Sequence, residues 1–201
     1  MDLPTARKVS CMPRFAANLS LLYPEYPLLE RCDHAAADGF RAVEIQFPYA
    51  ESPAALAAAL QRNGLELVLF NLPAGDWAAG ERGIAAHPDR VAEFRAGVAQ
   101  ALELAHRLTV PRLNCLAGTR DAAFSLAEQQ HTLRENLRYA AEALATAGRT
   151  LLIEPLNRYD VPGFLLNSSR EAFALQDELD APNLKVQYDV YHMQRGEGEL
   201  A

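Results

Sequence analysis

Cysteine is scarce in this 201-residue chain, which carries only Cys11, Cys32 and Cys115, widely spaced and with no CxxC pair. An odd number of isolated cysteines suits free thiols in a reducing compartment and argues against a disulfide framework. Long apolar runs are also missing. Stretches such as Leu65 to Phe70 and Leu151 to Ile153 fall far short of the roughly 20 residues a membrane span needs. The segment Met1 to Pro13 contains Asp2, Arg7 and Lys8 and has no apolar h-region, so it does not read as a secretory signal. The expected location is therefore the cytoplasm. Positive charge is in deficit, with a net charge of −7, and such a surface repels phosphate backbones and anionic lipid headgroups. Nucleic acid and membrane are accordingly poor candidate partners.

Glycine is absent where a nucleotide fold would need it. The segment after the first strand-like run reads Asn18-Leu19-Ser20-Leu21-Leu22-Tyr23, and no GxxxxGK[ST] occurs anywhere. Phosphate-cradling loops are thereby missing, and no organic cofactor is expected. No linker or low-complexity stretch divides the chain either. What is present is ordinary globular composition, half hydrophobic and 22% charged, in a chain long enough for a sizeable core.

Short β-type runs alternate with longer helical patterns. The runs are Arg14–Asn18, Ala42–Gln46, Leu65–Asn71, Arg112–Leu116, Thr150–Glu154 and Leu184–Asp189; helices are expected over Glu25–Asp38, Pro53–Asn63, Pro88–Leu108, Leu126–Ala147 and Ser168–Leu179. The punctuation agrees: Asn63-Gly64 and Gly148 sit at helix ends, Ser52-Pro53 and His87-Pro88 at helix starts, and Ser168-Ser169 offers hydroxyl caps. Steady alternation of this kind predicts a parallel α/β sheet. Period-2 patterning puts Val43 and Ile45 on one face of the second strand and Glu44 and Gln46 on the other. The sixth strand repeats it, with Leu184, Val186 and Tyr188 opposite Lys185, Gln187 and Asp189. An oily face toward the helices and a polar face toward a common axis favour a (β/α)8 TIM-barrel type over a doubly wound sheet, with the site at the C-terminal strand ends. Only about six βα units are present, whereas a complete barrel takes about 250 residues. The expected organisation is an N-terminal extension over residues 1–12 and a barrel domain over 13–201 that lacks the last two strands, either an open relative of the barrel or a truncated chain.

The chemistry-bearing residues fall at strand ends. Glu154 closes Thr150-Leu151-Leu152-Ile153-Glu154, and Pro155 stops that strand and leaves the carboxylate at the rim. A carboxylate there has to be paired, solvated or metal-bound, because burying it alone costs several kcal/mol. Asp189 ends the next strand, with His192 three residues on. Two hard oxygens from neighbouring strands begin an oxygen-rich site for Mg²⁺ or Mn²⁺, and the imidazole suits a substrate hydroxyl or carbonyl. As a bare pattern Asp-x-x-His is weak, and His192 reads equally as a surface residue at a helix start. Glu44, Asn71 and Asn114 end the second, third and fourth strands; each fits an internal hydrogen-bonding role as well as a substrate contact. Cys115 falls on the helix-facing side and reads as core. His34, His106 and His131 lie in helical patterns without ligand spacing and read as structural.

Taken together, the long loop from Leu69 through Asn71-Leu72-Pro73-Ala74-Gly75-Asp76-Trp77 to Glu81-Arg82-Gly83, then Asn114-Cys115-Leu116-Ala117-Gly118, Ile153-Glu154-Pro155-Leu156-Asn157 and Gln187-Tyr188-Asp189-Val190-Tyr191-His192, strongly resemble the hydroxypyruvate isomerase family of xylose isomerase-like barrels. The resemblance runs from about residue 13 to the end, and the loop after the third strand is its most specific part. It implies a divalent-metal site built from strand ends. Glu154 matches a glutamate that is both ligand and acid/base, Asp189 the second ligand and His192 a substrate-contacting histidine. The family's remaining two ligands, a Gln or His on the seventh strand and, on the eighth, the second of two glutamates that exchange protons with the substrate, have no counterpart here, so a metal would be weakly held. The implied reaction interconverts a 2-keto-3-hydroxy compound with the matching 2-hydroxy aldehyde, as in hydroxypyruvate and tartronate semialdehyde, through a metal-stabilised enediolate. Arg82 and Arg158, on loops after strands three and five, are the candidate partners of a substrate carboxylate in this small hydroxy-keto acid. The alternatives are a 2-oxo-tetronate isomerase, a ketose epimerase or a non-catalytic barrel fragment; a nuclease on the same barrel would call for a basic groove. Unpaired sheet edges would favour a homo-oligomer.

Overall fold

In the computed structural model, which describes residues 13–198, one parallel sheet carries six strands in the order of the sequence. The strands are β1 (Ala17–Asn18), β2 (Ala42–Glu44), β3 (Glu66–Asn71), β4 (Arg112–Cys115), β5 (Thr150–Ile153) and β6 (Leu184–Val186). Between and after them run α1 (Leu28–Ala37), α2 (Pro53–Asn63), α3 (Val91–Leu108), α4 (Leu126–Thr146), α5 (Ser169–Leu179) and α6 (Val190–Glu197). The expected N-terminal extension and Cys11 lie outside the described residues. Each neighbouring pair of strands is parallel and joined by a helical crossover, which is the barrel topology. Among the described residues β1 and β6 each pair on one side only.

Local chemistry explains most boundaries. Helix α2 starts on Pro53 in its first turn and stops at Gly64, whose φ of +60° is the left-handed conformation glycine adopts without steric cost. Helix α4 opens with a reciprocal capping box between Ser125 and Glu128, and the Ser168 hydroxyl caps α5 through the Glu171 amide. The helix expected from Pro88 begins instead as a 3₁₀ turn over Pro88–Arg90 before α3 takes over.

The core lies between sheet and helices. Val43, Ile45, Leu113, Leu151, Ile153 and Leu184 on the sheet pack against Leu56 of α2, Val98 of α3 and Leu137, Ala140 and Leu144 of α4. Cys115 is buried in this layer, and burial pushes its thiol up to about 12, so it is an inert core residue. His34, in α1, stacks on Tyr26 with ring centroids 3.8 Å apart and is likewise structural.

Several strand assignments need correction, and the first two strands are shorter than expected, starting at Ala17 and stopping at Glu44 respectively. The sixth strand stops at Val186, three residues short of the expected Asp189, and Tyr188 is 47% exposed rather than packed on the helix-facing side. The cause is a competing local structure: Asp189 is the N-cap of α6, accepting from the amides of Tyr191 at 2.7 Å and His192 at 3.3 Å. A strand paired on one side only yields readily to that cap. In β4, Asn114 sits one residue before the end of the strand, which Cys115 closes.

Candidate active site

Polar side chains collect at the C-terminal end of the sheet, one from each strand or the turn that follows it. Asn18 ends β1 and donates through Nδ2 to Glu44 Oε1, at the end of β2, across 3.1 Å. Asn71 ends β3, and its Oδ1 accepts from Asn114 Nδ2 of β4 at 3.1 Å. The same Asn114 Nδ2 reaches Glu154 Oε2, just past β5, at 3.0 Å. Parallel register brings these groups level, since Asn18 pairs with Glu44 and Asn71 with Asn114. Because side chains alternate along a strand, this row shares the face opposite the oily core.

Asp189 completes the row from the cap of α6. Its Oδ1 is used by the two helix amides, while Oδ2 lies 4.0 Å from His192 Nε2. Glu154, Asp189 and His192 each offer a ligand atom within 4.8 Å of the others, the one such grouping found among the described residues. The expectation that the two carboxylates meet at one end of adjacent strands therefore agrees with the structure, although Asp189 arrives on a helix cap.

The carboxylates repel one another. Glu154 is pushed up to about 8, first by burial and then by the charges of Asp189 and Glu44, with hydrogen bonds from Asn114 and Gln187 pulling the other way. Glu44 rises to about 7 through burial and the Asp189 charge. Two buried acceptors beside them, Asn114 Oδ1 and Gln187 Oε1, have no hydrogen-bond partner among the described residues. Crowded hard oxygens, raised carboxylates and orphaned acceptors fit an oxygen-loving divalent cation, which Glu154 and Asp189 would hold.

The two candidate arginines differ. Arg82 lies over the Trp77 ring at 4.0 Å, and its Nη1 donates to the carbonyls of Trp77 at 3.2 Å and Glu81 at 2.7 Å. Trp77 in turn sits against Phe47, beyond β2, with centroids 4.8 Å apart, so this loop lies over the strand-end face. Arg158 is exposed, stacked 5.1 Å over its neighbour Tyr159. Sequence reasoning passed over Asn18, Gln187 and Asn157. The first two carry the same signal as Glu44, a polar residue ending a strand or its register; Asn157 carried none beyond its place in the loop after β5.

The whole-chain comparisons agree with this architecture. A family model described as xylose isomerase-like TIM barrel matches residues 32–201. The chain is 53% identical over 189 residues to a hydroxypyruvate isomerase of Escherichia coli, covering 94% of this chain and 73% of the relative. It is 50% identical over 190 residues to a 2-oxo-tetronate isomerase of Cupriavidus necator, with the same coverage of 94% and 73%. Among solved structures, one titled AP endonuclease, family 2, from Brucella melitensis superposes with a TM-score of 0.91 at 44% identity, over 94% of this chain and 73% of that one. A D-psicose 3-epimerase from Clostridium cellulolyticum, at 20% identity and a TM-score of 0.74, shares the fold. A parallel βα sheet with its carboxylates at the strand ends is the framework of an isomerase-type barrel enzyme. This chain belongs to the xylose isomerase-like TIM barrel family.

Proposed function

We propose that this protein interconverts hydroxypyruvate and tartronate semialdehyde, moving a proton between the two carbons next to one another in a three-carbon hydroxy-keto acid. The observation that carries this reading is the convergence of Glu154, Asp189 and His192, each with a ligand atom within 4.8 Å of the others, at the strand ends. A bound Mg²⁺ or Mn²⁺ would supply Lewis-acid polarisation of the substrate's carbonyl and hydroxyl oxygens. Glu154, ionised, takes the proton from the hydroxyl-bearing carbon and returns it to the adjacent one, while the hydroxyl proton passes to the former carbonyl oxygen, which balances the exchange. In the metal-free fold, burial beside Asp189 and Glu44 pushes the Glu154 carboxyl up, which favours its taking up a proton. Asn114 holds Glu154 Oε2, and the Asn71–Asn114 pair fixes that amide in turn. Glu44, steadied by Asn18, and the Asn71 and Asn114 amides face the substrate's polar edge. Arg82, held over Trp77 with no carboxylate bound to it among the described residues, is the cation for the substrate carboxylate. Arg158 is the weaker candidate because its exposed guanidinium is spent on Tyr159.

The near-equal likeness to a 2-oxo-tetronate isomerase supports a second reading in which a longer acid occupies the same site. The net charge of −7 speaks against a nucleic acid substrate, and among the described residues no helix is long and apolar enough to cross a membrane. The deciding experiment is turnover by the purified chain with Mg²⁺ or Mn²⁺, offered hydroxypyruvate and 2-oxo-tetronate separately. Preference for hydroxypyruvate, abolished by Glu154→Gln, is the expected result. Preference for the longer acid moves the assignment to the second reading, and no turnover of either overturns both.

A further inference from the structure

Asn157, in the loop after β5, is fully buried, and its side-chain amide is oriented without ambiguity. Its Oδ1 accepts from the backbone amides of Tyr159 at 3.1 Å and Asp160 at 3.0 Å, and its Nδ2 donates to Asp160 Oδ2 at 2.8 Å. A flipped amide would set an oxygen against the Asp160 carboxylate and an NH₂ against two N–H groups, so only this orientation satisfies its neighbours. Asp160 is itself braced by Arg195 at 3.0 Å and the Tyr191 hydroxyl at 2.6 Å.

This fixed amide determines the state of the neighbouring imidazole. Asn157 Nδ2 lies 2.8 Å from His192 Nδ1, and the backbone N–H of Asn157 points to the same nitrogen at 3.2 Å. Both groups are donors, so Nδ1 must be the acceptor. In a neutral ring the proton then resides on Nε2. Nε2 is the nitrogen turned toward Asp189 Oδ2, 4.0 Å away, which is too far for a hydrogen bond between them.

We propose that Asn157 is a positioning residue that holds His192 as its Nε2–H tautomer, so that the imidazole turns a hydrogen-bond donor, and no lone pair for a cation, toward the side where Asp189 lies. A nitrogen bearing a proton has no lone pair for a cation, and the lone pair on Nδ1 is already taken. The grouping of Glu154, Asp189 and His192 is thereby divided: two carboxylates face the cation and one imidazole faces the substrate. The identity of the acceptor as a substrate oxygen rests on the function proposed above; the tautomer does not.

The test is ¹⁵N spectroscopy of the histidine rings in the metal-free full chain at alkaline pH, with His192 identified by the signals missing from His192→Gln. The expected spectrum has a protonated Nε2 and an unprotonated Nδ1. A wild-type ring protonated on Nδ1, or exchanging between both forms, overturns the proposal, and this measurement needs no variant at position 157. Asn157→Ala removes the side-chain donor and leaves only the backbone N–H; exchange of the ring between both tautomers is expected in that variant, together with a loss of turnover of about tenfold or more, since a misplaced group in a site costs at least that. A ring unchanged by Asn157→Ala overturns the role of Asn157. His192→Gln should retain Mn²⁺ affinity by calorimetry, and its loss would make His192 a ligand and overturn the assignment. If the wild-type tautomer is as stated but hydroxypyruvate is not turned over, the functional reading fails and the positioning of His192 stands.

Discussion

Asn114 Nδ2 donates to Glu154 Oε2 across 3.0 Å, tying the end of β4 to the carboxylate that follows β5. A donor at that distance favours the ionised form of a group that burial and two neighbouring carboxylates push the other way. Asn114→Leu should raise the titration of Glu154 further above about 8. Each unit of such a rise corresponds to about 1.4 kcal/mol of lost preference for the charged form. Side-chain carboxyl ¹³C titration of the metal-free protein reads it directly. A Glu154 that titrates identically in the variant would show that the bond does not hold the charge.

Arg82 lies 4.0 Å over Trp77 and is bonded to backbone carbonyls, not to a carboxylate; Glu81 beside it is engaged by Arg90 instead. If Arg82 receives the substrate carboxylate, Arg82→Ala removes a charged hydrogen bond of about 1.5–3 kcal/mol. That amounts to a rise in KM of roughly 10- to 150-fold with kcat little changed. Arg158→Ala, at an exposed side chain, should leave both nearly unaltered. The reverse ranking of the two variants would transfer the role to Arg158.

The loops after β3 and β4 meet backbone to backbone at Gly83 and Gly118. A Cβ at Gly83, where φ is +116°, would overlap the Leu116 carbonyl, and one at Gly118, where φ is +102°, would lie 2.6 Å from the Gly83 carbonyl oxygen. Gly83→Ala therefore combines left-handed strain of about 1–2 kcal/mol with a clash against atoms that cannot move aside. It should cost more than Gly148→Ala, where φ is +66° and a Cβ meets nothing within 4 Å. Urea denaturation of the two variants gives the comparison, and equal losses would mean that the loops part without penalty.

The repeat and its polar strand-end row were legible because both depend on period: alternation along β2 separates Val43 from Glu44 whatever the tertiary context. Helix α2 could be read to the residue, since Pro53 and Gly64 act locally. The end of β6 could not, because the Asp189 side chain offers α6 a cap that competes with a strand bonded on one edge only. Asn157 was invisible for a different reason. Its part depends on His192, 35 residues away, arriving beside it, and no local pattern encodes that meeting.

The carboxylate row also predicts how stability changes with pH. In the metal-free fold Glu154 and Glu44 titrate near about 8 and about 7, against an ordinary 4.5. Over the interval between, the native state binds more protons than the unfolded chain, so the unfolding free energy falls as pH rises. The contribution is present in full below the ordinary carboxylate range and is lost as pH climbs through about 7 and then about 8. Its size is on the order of a few kcal/mol, since each unit is worth about 1.4 kcal/mol and the two groups are coupled. The carboxylates held low by partners, Asp33, Glu93, Glu128 and Asp160, act in the opposite sense but only in the acid range, outside this interval. A divalent cation bound by Glu154 and Asp189 would displace the protons and remove the decline, so Mn²⁺ should raise the melting temperature more on the alkaline side than near the ordinary carboxylate range. Glu154→Gln should remove the later part of the decline, leave that of Glu44, and abolish the Mn²⁺ effect. Melting curves taken across this interval, with chelator and with Mn²⁺, make the check. A metal-free melting temperature that rises steadily with pH through the interval would mean that these carboxylates are already ionised in the fold, against the effect of their burial.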